Sequence, residues 1–174
     1  MRFSIRPAEP FKYKAEVGGV TIVIRKRLWP LRFYSGEWYW TWLDGTRMVL
    51  TYKRENYRCV RRAIFADGAL VYDEMIRYSF ISHWRWQETT WRRGERRLTH
   101  RRVPRRATSW RGMFALLPRN VLNSNDGRTP ISWSDDCGRG WQGVIRSSLD
   151  GETARMVFGI VVALCLHERR CGAS

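Results

Sequence analysis

An unbroken apolar run, MVFGIVVALCL at residues 156–166, stands between the charged stretches GETAR and HERR. As a helix it spans about 16 Å, whereas a bilayer core asks for about 20 apolar residues. Arg155 before it and His167, Glu168, Arg169 and Arg170 after it would not both sit comfortably in lipid. The run has no polar side, so it does not suit an interfacial amphipathic helix. A helix that is apolar all round must be enclosed all round. Residues 152–170 read as that helix. Asp150 or Thr153 can cap its start, and Glu152 suits the positive end of the dipole. His167, Arg169 and Arg170 suit the negative end, and Gly172 can stop it. The β-branched Val157, Ile160, Val161 and Val162 would also suit a buried strand, but length and end chemistry favour a helix. Gly159 would let a bulky side chain, such as one of the tryptophans, approach the helix backbone.

Most of the remaining chain alternates with period two, the mark of strands with one buried face. FKYKAEV places Phe11, Tyr13, Ala15 and Val17 on one face, and VTIVIRK follows Gly18-Gly19. EWYWTWL puts Trp38, Trp40 and Trp42 on one face and Glu37, Tyr39 and Thr41 on the other. Asp44-Gly45 and Asp67-Gly68 separate alternating runs, a strong hairpin signal. Gly94 marks a weaker one, between ETTWRR and RRLTHRRV. ISHWRWQ and ATSWRGMFALL also read as strands, and ISWS, DDCGRG and WQGVIRSSL read as a further hairpin. No Gly/Ser-rich linker divides the chain, so residues 1–174 are expected to form a single domain. The fold predicted is mainly β: an antiparallel closed barrel of about ten to twelve strands enclosing the C-terminal helix. Closure would cover the helix and remove exposed sheet edges.

This arrangement resembles the tubby C-terminal domain and the related phospholipid scramblase and LURP-one families. The likeness is carried by FSIRPAEPFKYKAEVGGVTIVIRKRLWPLRFY, the Asp-Gly hairpins and GETARMVFGIVVALCLHERR. It is a likeness of pattern rather than of signature residues. It implies a barrel of about twelve strands around a central helix. It also implies binding of phosphoinositides or other membrane-associated ligands.

Charge narrows the partners further. The formal net charge is +16, and four of the 32 cationic residues are lysines (Lys12, Lys14, Lys26 and Lys53). Arginine excess reflects either nucleotide composition or a need for bidentate contacts to phosphate or carboxylate. Residues 85–111 hold ten arginines against Glu88 and Glu95, a net +8. Arg92, Arg93, Arg96, Arg97, Arg101, Arg102, Arg105 and Arg106 are the candidate anionic-ligand-binding residues. Trp84, Trp86, Trp91 and Trp110 are interleaved with them. In a hairpin, arginines paired across strands repel, which favours a counter-anion. RKRLWPLR at 25–32 and YRCVRR at 57–62 are smaller basic patches, read as outward strand faces. Trp38, Trp40 and Trp42 could stack on bases, but they suit a core better.

Other chemistry is thinly signalled. Asp135 and Asp136 sit in a Gly-rich loop without the spacing of a calcium site. His167 and Cys171 are two ligand types, too few for a metal site. Neither a metal nor a cofactor is expected. No GxSxG, HExxH, P-loop or GxGxxG occurs, and the chain is read as non-enzymatic. Cys59, Cys137, Cys165 and Cys171 form no CxxC pair, and no signal-like stretch precedes FKYKAEV. Reduced thiols and a cytoplasmic location, peripheral to the membrane, are expected. The function predicted is a binding module for anionic phospholipid headgroups, phosphoinositide-like ligands or another anion. The alternative is a nucleic-acid binder that uses residues 85–111.

Overall fold

A computed structural model of the chain describes residues 1–28, 35–56, 59–77, 89–93, 96–103, 119–125, 128–135 and 139–171. The chain is mainly β, with one antiparallel sheet and one C-terminal helix. The strands are β1 (Arg2–Glu9), β2 (Lys12–Val17), β3 (Val20–Leu28), β4 (Ser35–Thr41), β5 (Arg47–Asn56) and β6 (Cys59–Ala66). They continue with β7 (Ala69–Arg77), β8 (Thr89–Arg93), β9 (Arg96–Val103), β10 (Arg119–Ser124), β11 (Ile131–Asp135) and β12 (Trp141–Ile145). Helix α1 spans Gly151–Cys171. Each strand pairs with its chain neighbours, and β1 pairs with both β2 and β12. The thinnest seam lies between β7 and β8, where Asp73↔Arg92 is the one pair recorded among the described residues.

The hairpins follow from turn chemistry. Asp67 and Gly68 both take positive φ (48° and 83°), the left-handed geometry that matches strand twist in a two-residue turn. The Asp44-Gly45 turn is wider than its dipeptide suggests. It runs from Trp42 to Thr46, closed by Trp42 N–H donating to Thr46 O at 2.8 Å. Thr46 N–H also donates to Asp44 Oδ1 at 2.9 Å, so the carboxylate rather than a second left-handed residue shapes the loop. Phe11 departs from the expected strand face. It sits in a turn at φ 63° and is half exposed, while Ala15 and Val17 face the core.

Asp150 is the helix cap. Its Oδ1 accepts the Thr153 N–H at 2.8 Å and its Oδ2 accepts the Thr153 hydroxyl at 2.7 Å. Arg155 ties the first turn to the sheet, donating to Asp44 Oδ2 at 2.8 Å. Hydrogen bonds from the Thr46 side chain and backbone, helped by Arg155, hold the Asp44 carboxyl below its usual range.

From Met156 to Leu166 every helix position is buried, so no side of the apolar run meets water. The helix packs against β5, β6 and β12. β12 stands far from β5 and β6 in the strand order, so cover comes from separate parts of the sheet. Phe158 meets Phe3 edge-on, with centroids 5.9 Å apart, and Trp42 at 5.1 Å. Gly159 does not receive a tryptophan. Its neighbours are Ile64 and Met48, at ordinary contact distance from where a Cβ would stand. Trp38, Trp40 and Trp42 are core residues, with Trp133 and Trp141. No described helix is long and apolar enough to cross a membrane.

Candidate functional site

Among the described residues, four of the five buried polar side chains fall into two sets, Ser132 on β11 being the fifth. Arg62 lies on β6 opposite Glu74 on β7. Arg62 Nε donates to Glu74 Oε2 at 3.0 Å and Nη2 at 2.5 Å, while Nη1 donates to the helix carbonyl of Ala163 at 3.2 Å. Both side chains are almost fully enclosed. Burial pushes the Glu74 carboxyl above its ordinary value, and the attraction of Arg62 offsets this only in part. The basic patch at 57–62 is thus not wholly an outward face. Arg61 faces out and pairs with Asp73 at 3.1 Å, whereas Arg62 points in.

The second set joins β9 to β10. His100 Nε2 and Asn120 Oδ1 lie 2.9 Å apart, so with Oδ1 accepting, the ring carries its proton on Nε2. The imidazole stacks on Trp133 at 5.3 Å and 18°. Within the arginine-rich segment, His100 is thus an interior residue, 5 % exposed.

Six of the eight predicted arginines fall on β8 and β9. Arg92 and Arg93 are on β8, and Arg96, Arg97, Arg101 and Arg102 are on β9. The register sets Arg92 opposite Arg97 and Arg93 opposite Arg96. Four cationic residues thus occupy two successive rungs, which alternate between the two faces of the strand pair, and Arg92 also stands opposite Asp73 of β7. Arg101 and Arg102 meet Val121 and Asn120 on the other side, so they do not join that pairing. Arg105 and Arg106 lie outside the described residues, as do Trp84, Trp86 and Trp110, the strands expected at ISHWRWQ and ATSWRGMFALL, and Asp136. Asp135 ends β11, and His167 and Cys171 belong to the last turns of α1.

A cavity of about 400 Å³ opens where α1 enters the sheet. Its floor is apolar and buried, made by Leu98, Met156 and Val157 together with the ring of Tyr72. Its rim is polar and exposed, with Arg128, Arg146, Asn125 and Ser148. Local hydrogen bonds place both guanidinium-bearing residues. Ser124 N–H donates to Arg128 O at 2.9 Å, and Arg146 N–H donates to Pro130 O at 2.9 Å. Thr129 Oγ1 donates to Asn123 Oδ1 at 2.8 Å, which steadies the same loop. The cavity adjoins the arginine hairpin, because Leu98 follows Arg96 and Arg97 on β9 and pairs with Ser124. Sequence reading missed Arg128 and Arg146, which are far apart in the chain and bear no motif.

No family model, curated protein or solved structure matches the chain.

Proposed function

We propose that the chain is a non-enzymatic module that binds an anionic surface, most simply phospholipid headgroups, through its arginine-rich hairpin. The observation that carries this reading is the pair of like-charged rungs, Arg92↔Arg97 and Arg93↔Arg96. Like charges directly opposite one another in a sheet cost stability, and a phosphate between two guanidinium groups turns that cost into charge-assisted contacts. We also infer that the sheet closes into a barrel around α1. The full burial of 156–166 and the pairing of β1 on both sides support this. The same features support the likeness to tubby-type domains. Nucleic acid is the competing partner. The core positions of Trp38 and Trp40 remove one stacking platform that such a partner would use.

Sedimentation with vesicles tests the reading. The protein is expected to pellet with phosphatidylserine-containing vesicles and not with pure phosphatidylcholine, with binding weakening as salt rises. Equal recovery with both would sink the proposal. Duplex DNA that displaces the protein from anionic vesicles would transfer the site to nucleic acid.

A further inference from the structure

We infer that the cavity at the entry of α1 is a binding site for a small amphiphilic anion, an aliphatic chain ending in a carboxylate or phosphate. It uses residues separate from the arginine rungs, and it stands whether or not the protein binds vesicles.

The argument is the gradient across the cavity. Val157 is fully buried, and Met156 and Leu98 are 4 % and 5 % exposed, so the floor is already dry and hydrocarbon-lined. An aliphatic chain placed there gains by leaving water. At the rim, Arg128 and Arg146 supply guanidinium groups, the side chain best shaped to grip a planar carboxylate or a phosphate in a bidentate way. Asn125 and Ser148 add neutral hydrogen-bonding groups beside them. Among the described lining residues the one carboxylate is Asp150, whose two oxygens accept from Thr153 as the helix cap. Among the described lining residues, two cations thus stand against one carboxylate. The size of about 400 Å³ falls in the range of small-molecule sites. A purely polar anion would leave the floor unused, and a neutral lipid would leave the arginines unused. An amphiphilic anion satisfies both.

The test is calorimetric titration of the full chain with octanoate, octyl phosphate, octanol, acetate and inorganic phosphate. Saturable binding is expected for octanoate and octyl phosphate, roughly tenfold or more tighter than for octanol or for the short anions. Arg128→Gln with Arg146→Gln should weaken octanoate by roughly tenfold and leave octanol unchanged. Ser148→Trp, a rim change that does not enter the core, should block every ligand. Circular dichroism verifies that each variant stays folded. Octanol binding as tightly as octanoate, or folded variants binding like the parent, would overturn the inference. Vesicles of phosphatidic acid distinguish the source. Competition by octyl phosphate for such vesicles assigns the cavity a lipid headgroup. Binding of the soluble anions without vesicle binding assigns it a free metabolite and refutes the surface reading alone.

Discussion

The β4–β5 and β8–β9 hairpins are built on the same alternation and use it for opposite purposes. Between β4 and β5 the inward rungs are Trp38↔Leu50 and Trp40↔Met48, all buried, and the outward rungs are Glu37↔Thr51, Tyr39↔Val49 and Thr41↔Arg47. No recorded rung of this hairpin sets like charges against each other. Between β8 and β9 the rungs Thr89↔His100 and Trp91↔Leu98 reach the buried His100 and Leu98, whereas Arg92↔Arg97 and Arg93↔Arg96 set arginine against arginine. The first hairpin is held by area removed from water. The second carries an electrostatic penalty that packing must offset. On the proposed reading, a bound anion offsets that penalty. The β6–β7 hairpin lies between them. It brings charge inside as Arg62–Glu74 but pairs it, and it uses the third guanidinium contact to hold α1 at Ala163.

Three substitutions would break or sharpen this contrast. Trp40→Ala, in the apolar hairpin, should cost the most, about 4 kcal/mol, by lost transfer energy and an open cavity. Chemical denaturation measures it, and a loss below about 1 kcal/mol would mean that the hairpin is not held by its tryptophans.

Glu74→Gln comes next, at about 3 kcal/mol, because it leaves Arg62 charged in a dry site. The parent should also show a pH dependence with a definite sign. Burial raises the folded carboxyl above its ordinary 4.5, so the folded state binds the proton more tightly than the unfolded chain. This group's contribution is thus fully present below about 4.5 and declines as pH rises through the elevated folded value. Denaturant midpoints across that window should fall for the parent and stay flatter for Glu74→Gln. A parent curve that rises there relative to the variant contradicts the burial argument.

The smallest effect on stability belongs to Arg93→Glu. It converts the Arg93↔Arg96 rung into an opposite-charge pair and should stabilise by about 0.2–1 kcal/mol. The same change should reduce pelleting with anionic vesicles. A variant that gains stability and keeps full vesicle binding would place the binding surface elsewhere.

Much of the fold was legible in the sequence. The lack of any polar residue in 156–166 required enclosure, and alternation in the remaining segments could supply the strands to do it. Alternation could have gone further. Ile64 and Tyr72 face each other inside, and two residues along in the same phase stand Arg62 and Glu74. The basic appearance of YRCVRR hid that phase. Asp44-Gly45 was read as a hairpin turn, yet its width depended on the Asp44 side chain accepting from Thr46, a choice that the dipeptide alone does not make.

The candidate sites divide in the same way. Eight arginines close together in sequence could be singled out as candidates because local spacing is what sequence records. Their pairing as Arg92↔Arg97 and Arg93↔Arg96 agrees with the hairpin signal read at Gly94, so it too was within reach of sequence. The cavity was not. Leu98, Arg128, Arg146 and Met156 come from four separate segments and meet only because β9, β10 and β12 carry their ends to the point where α1 enters. Periodicity is a local property, and it determined which residues of this protein are inside. Proximity between distant segments depends on strand register and helix placement, and only the tertiary structure decided that two arginines would stand over a dry apolar floor.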